Sequence, residues 1–114
     1  MGYIKAHTIV VTGGKTSVKK AHKVAKEIFN KAFFKDNPYR KLVSSIVDSK
    51  MNETFSFFIA PDGSKEGWET SDIGDEARAS LLKELKKIAK DTGLDYVELF
   101  FGEDNGKAKI LNHN

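Results

Sequence analysis

The chain has 114 residues, 39% of them hydrophobic and 31% charged, with a net charge of +3. That is enough for one domain spanning 1–114, which buries roughly two-thirds of its unfolded surface without staples. The absence of cysteine excludes disulfides, thiolate chemistry and cysteine zinc sites, and fits a cytoplasmic location.

No apolar run approaches the length that spans a bilayer. The longest are Ile9-Val10-Val11 and Phe57-Phe58-Ile59-Ala60, so no membrane partner is expected. Charge is divided by position. Residues 1–50 hold 11 Lys+Arg against 3 Asp+Glu, and residues 51–114 hold 8 against 13. Such asymmetry suggests a basic contact surface.

In chain order, Tyr3 to Val11 is β-branched and loosely alternating, and reads as a strand ended by Thr12-Gly13-Gly14. A helix follows, capped by Thr16 or Ser17. Val18, Ala21, Ala25, Ile28, Phe29, Ala32 and Phe33 make its apolar side, and Lys19, Lys20, Lys23 and Lys26 its opposite side. It should stop before Asn37-Pro38.

Lys41–Asp48 and Glu53–Ala60 flank a polar turn and predict an antiparallel hairpin. Residues 61–73 read as a long connection. A second helix is expected from about Gly74 to Thr92, capped by Asp72, with Ala77, Leu81, Leu82, Leu85, Ile88 and Ala89 as its apolar side. Arg78 falls on that apolar side and is expected to reach the rim and pair with Asp72 or Asp75. Leu94–Phe101 predicts a strand, Asn105-Gly106 a tight turn, and Lys107–Leu111 a short fifth strand. Asn112 to Asn114 should fray.

The order is β-α-β-β-α-β with a final β. The expected fold class is α+β. It is a ferredoxin-like sandwich with an antiparallel sheet, two helices on one face and a short C-terminal fifth strand. That arrangement carries almost no function by itself.

Four segments invite a functional reading. Thr12-Gly13-Gly14-Lys15-Thr16 opens a helix with free backbone N–H groups, but a phosphate loop needs glycine where Ile9 stands; a turn with a capped helix is the plainer expectation. Lys15, Lys19, Lys20, Lys23 and Lys26 form a basic stripe along which nucleic acid or another anion could lie, or a solvated face. The acidic run from Asp62 to Glu76 echoes the opening of a calcium loop, yet its twelfth position is Ile73. Within it, Trp68 with Glu66, Glu69 and Asp72 would make an acidic-rimmed site for a protein partner.

The fourth segment is Thr54-Phe55-Ser56-Phe57-Phe58-Ile59. In the element order and in Phe55-Ser56-Phe57-Phe58 the chain resembles RNA recognition motif domains, which stack bases on rings of the third strand. The resemblance implies an RNA-binding sheet. The signature's opening Lys/Arg-Gly is Glu53-Thr54 here, its closing aromatic is Ala60, and Val10 stands where the first strand's ring would be. Period two instead groups Phe55, Phe57 and Ile59 on a buried face, with Phe58 outward.

His7, His22 and His113 have no metal-ligand spacing, and no triad is placed around them, so no metal or cofactor is expected. These patterns predict a small non-enzymatic binding or regulatory module with a protein partner, and possible self-association. The alternative is a nucleic-acid-binding module using the basic face of the first helix. A small hydrolase or transferase drawing on carboxylates of 62–76 is the remaining expectation.

Overall fold

The computed structural model describes residues 6–32, 42–63, 69–102 and 108–114, and in the second helix the side chains from Asp72 onward. The chain runs β1 (Ala6–Gly13), α1 (Lys15–Ala32), β2 (Val47–Asp48), β3 (Phe55–Ile59), α2 (Glu69–Asp91), β4 (Asp95–Phe101) and β5 (Lys109–His113). It is an α+β arrangement in which five strands form one antiparallel sheet, ordered β2-β3-β1-β4-β5. The expected starts and ends at Tyr3, Asn37-Pro38 and Asn105-Gly106 lie outside the described residues. No helix among the described residues is long and apolar enough to cross a membrane.

Period two in the strands sorts the sheet into two sides. Ile9 pairs with Ile59 and Val11 with both Phe57 and Tyr96, so these side chains share one face. Both helices cover that face. The His22 ring of α1 stands edge-on to Phe57 at 5.0 Å, and Asp75 of α2 lies 3.5 Å from His7, which shares the Ile9 side of β1. The core between the layers holds Ile9, Val11, Phe57 and Ile59 from the sheet, Val18, Ala21, Ala25 and Phe29 from α1, and Ala77, Leu81, Leu85 and Ile88 from α2. Of the helical stripes read from the sequence, Ile28, Ala32, Leu82 and Ala89 are partly buried, Phe33 lies outside the described residues, and the rest are buried. Each fully buried Leu, Ile or Phe there contributes about 1.5–3 kcal/mol.

Several boundaries differ from expectation. The first helix starts at Lys15, so Gly14 is its leading residue. Its carbonyl accepts the Val18 N–H (3.0 Å) and the Ser17 hydroxyl (3.2 Å); Thr16 and Ser17 are therefore both inside the helix, and neither is its cap. The second helix begins at Glu69, five residues before Gly74, which places Asp72 within the helix and not at its cap. The long connection is correspondingly shorter.

The expected first arm of the hairpin is reduced to Val47–Asp48 and an isolated bridge between Val43 and Ile59. The segment between them is held by Ser44: its N–H donates to Phe58 O (2.9 Å), and its hydroxyl accepts the Phe58 N–H (2.9 Å). The turn that follows takes positive φ at Lys50, Asn52 and Glu53. The C-terminal residues do not fray. Asn112 and His113 extend β5, past a bulge opposite Glu98 and Leu99.

Candidate functional site

Three surfaces or clusters are candidates: the lysines, a buried polar cluster, and the uncovered face of the sheet. Lys15, Lys19, Lys20, Lys23 and Lys26 are all exposed on α1. The sheet register fixes what lies beside them. Thr12, just before α1, pairs with Asp95, just after α2. The start of α1 and the end of α2 are therefore at the same end of the molecule. At the other end, Ile28, Lys31 and Ala32 of α1 share a cleft with Ile73, Glu76 and Ala77 of α2.

The helices run antiparallel, so Lys83, Lys86, Lys87 and Lys90, all exposed on α2's last turns, lie toward the same end as the lysines of α1's first turns, with Lys83 and Lys86 on the side of α2 that faces Tyr96 and Asn112. Lysines from the two halves of the chain are thus gathered toward one pole, where the exposed Asp91 and Asp95 also lie. Asp72, Asp75 and Glu76 lie at the opposite pole with Glu27 nearer to them.

The acidic partner site expected from the sequence is only partly within view. Glu66 and Trp68 lie outside the described residues, as does the Glu69 side chain. Asp72 is exposed on α2. Asp62 has left the solvated run. Its side chain is largely buried, with Oδ2 3.6 Å from Arg78 Nη1.

That contact belongs to a cluster the sequence did not reveal. Arg78 is only 2% exposed, so it does not reach the rim as expected. Its Nη2 donates to Asp75 Oδ1 at 2.6 Å. Asp75 Oδ1 is also 3.5 Å from His7 Nδ1, and the other ring nitrogen of His7 lies 2.5 Å from Glu98 Oε2. Asn112 Nδ2 donates to Glu98 Oε1 at 2.6 Å. His7, Arg78 and Glu98 come from three elements far apart in sequence, so no spacing rule could have joined them. The one available signal was two charged residues, Arg78 and Glu98, at apolar-phase positions of a helix and a strand.

A histidine between two carboxylates can move a proton. Here both of its partners are also committed elsewhere, Asp75 to Arg78 and Glu98 to Asn112, as in a network that fixes structure. His22 is likewise tied into structure, with Nε2 2.8 Å from Ser44 O.

The third candidate is the sheet face that the helices leave uncovered. Phe57 is buried, Phe55 is half-buried toward the helices, and Phe58 is 44% exposed on the other side. Alternation places Ala6, Val10, Val47, Val97, Leu99, Phe101 and Ile110 on the same open side as Phe58, together with the polar Thr8, Thr12, Ser56 and His113. Val47, Phe101 and Ile110 are exposed as well. Asp95 is the only residue of Asp, Glu, Lys or Arg type on this side among the described strand residues. The two-ring platform of an RNA-binding sheet is not formed there, because Val10 stands beside Phe58 on β1.

Comparison of the chain with protein families, with curated proteins and with solved structures finds no match.

Proposed function

We propose that this chain is a non-enzymatic protein-binding module of ferredoxin-like architecture that associates with a second copy of itself through the uncovered face of its sheet. The strand order β2-β3-β1-β4, with one helix after β1 and one after β3, supports the architectural part. The observation that carries the functional part is the exposure of Val47, Phe58, Phe101 and Ile110 on a side where Asp95 is the one residue of Asp, Glu, Lys or Arg type among the described strand residues.

Large apolar side chains left exposed together on one face often mark a contact site. Two copies placed face to face would pack as stacked sheets about 10 Å apart. With Asp95 as the lone fixed charge on the described part of the face, two copies meet with little repulsion. A two-fold contact of this kind is self-complementary.

Sedimentation velocity over a range of concentrations tests the reading. A dimer that forms with rising concentration, and is abolished by Phe58→Asp in a chain of unchanged circular dichroism, is the expected result. A wild-type chain that stays monomeric at the highest concentration overturns it. So does a dimer that Phe58→Asp leaves intact.

A further inference from the structure

We propose that the outer edge of β5 binds an acidic segment of another protein, taken up as an extended sixth strand whose carboxylates face the lysines of α2. β5 pairs with β4 alone among the described strands and closes one side of the sheet. An edge strand presents a row of backbone N–H and C=O groups that a further strand can meet. All five residues, Lys109–His113, are exposed, so no described element covers this edge.

The pairing of β5 with β4 sorts its side chains by face. Lys109 stands opposite Phe100 and Asn112 opposite Glu98, so both lie on the side of the helices. Ile110 stands opposite Leu99, on the open side. α2 does not close over β5. Between them lies a cleft of about 290 Å³, lined by Ala79, Leu82, Lys83 and Lys86 of α2, Tyr96 of β4 and Asn112 of β5.

The charge beside this cleft is of one sign. Among the described residues, neither Lys83 nor Lys86 nor Lys109 takes part in an ion pair. The acids on the same side are already engaged, Asp75 by Arg78 and Glu98 by His7 and Asn112. Asp95 is on the open side of the sheet. Asp91 falls at the helical phase of Ile73, which lines the cleft toward α1. β5 itself, Lys-Ile-Leu-Asn-His, contains no acid.

Backbone pairing selects an extended peptide over a nucleic acid or a lipid surface, neither of which completes a strand ladder. A second copy of β5 is a poor mate. A two-fold edge-to-edge pair would bring Lys83, Lys86 and Lys109 of both chains to the same side of the joined sheet, and like charges set across strands oppose pairing. Lysine on an edge strand and a β-bulge are devices that resist such self-pairing. β5 has both, in Lys109 and in the register shift opposite Glu98 and Leu99. An acidic strand turns the same lysines into attraction. Period two then sets its pattern: carboxylates toward the cleft, and apolar side chains on the open side beside Ile110, which is 64% exposed.

Fluorescence anisotropy with a short labelled peptide of alternating glutamate and valine tests this. Saturable binding at low salt that weakens as salt is added is expected, with amide chemical-shift changes at Ile110 to His113. The same peptide N-methylated along its backbone, and a peptide of alternating lysine and valine, should each bind many-fold more weakly. Lys83→Gln with Lys86→Gln should weaken binding several-fold. Lys19→Gln with Lys23→Gln removes the same charge from α1 and should leave affinity nearly unchanged. The Phe58→Asp chain should bind as the wild type does, which keeps loss of face-to-face association distinct from loss of peptide binding.

Absence of binding at low salt overturns the proposal. So does binding that survives backbone methylation, that favours the lysine peptide, or that ignores the Lys83 and Lys86 changes. A Phe58→Asp chain whose β5 amides shift as it dimerises also overturns it, because the edge would then take a second copy.

Discussion

A glycine inside a helix usually costs about 1 kcal/mol relative to alanine, so replacing it normally stabilises. Gly74 is an exception that the structure explains. A Cβ at this position would overlap Asp62 Oδ2 and lie 3.2–3.3 Å from the two terminal nitrogens of Arg78. The Asp62 carboxylate and the Arg78 guanidinium occupy the space of the missing side chain.

Gly74→Ala must displace a buried carboxylate from a buried arginine, and leaving such a charge uncompensated is costly. We expect Gly74→Ala to destabilise by about 1–3 kcal/mol, read as a lower urea midpoint, where helix propensity alone predicts a gain. A midpoint that rises would show that Asp62 yields freely.

The same residue explains why the sequence misplaces the start of the second helix. Gly74 looks like punctuation when read in isolation, and Asp72 before it looks like a cap. Only the approach of Asp62 and Arg78 shows that this glycine makes room for a salt bridge. Phe55, Phe57 and Phe58 were legible by contrast, because period two depends on local geometry alone.

Elements with a strong apolar period are recoverable from sequence, and those held by tertiary hydrogen bonds are not. The stripes Val18-Ala21-Ala25-Phe29 and Leu81-Leu85-Ile88 point inward as their spacing requires. The segment before β2 departs from a full strand because Ser44 supplies hydroxyl and backbone bonds to Phe58 in place of a ladder. No pattern in residues 41–48 announces this.

The last residues are a second case. Asn112 to Asn114 look like a polar tail, yet Asn114 Nδ2 donates to Leu94 O (2.9 Å) and Asp95 Oδ1 (3.0 Å), while its Oδ1 accepts the Tyr96 N–H (2.9 Å). The side chain therefore clamps β5 to the start of β4, and Asn112 reaches back to Glu98. Asn114→Ala should cost about 1–2 kcal/mol and speed amide exchange at Tyr96, whose N–H loses its acceptor. Unchanged exchange there would show that the clamp contributes nothing.

Among the described residues, lysines of both chain halves gather toward one pole, where the exposed Asp91 and Asp95 also lie, while Lys31 lies at the other. The acidic residues at the start of α2 lie at one end, and the lysines that begin α1 and close α2 at the other. The stripe on α1 is legible from local spacing, whereas Lys86, Lys87 and Lys90 look locally like no more than favourable neighbours of a helix C-terminus. The antiparallel packing of the helices brings them to the same end of the helical layer. This has a consequence for stability that is independent of any partner.

Crowded like charges disfavour the folded state, and added salt relieves them within a Debye length of about 10 Å at 0.1 M. The urea midpoint should therefore rise as sodium chloride is added, by an amount equivalent to about 1 kcal/mol or less, given tenths of a kcal/mol per like-charge pair. The opposing effect comes from the pairs of Arg78 with Asp75 and Asp62. With Arg78 almost fully buried, salt screens these much less. Combining Lys19→Gln, Lys23→Gln, Lys86→Gln and Lys90→Gln should raise the midpoint at low salt and flatten its dependence on salt. A wild-type midpoint that falls with salt would mean that attraction within the buried cluster and the acidic pole outweighs repulsion among the lysines. The basic pole would then not be a site of stored electrostatic strain.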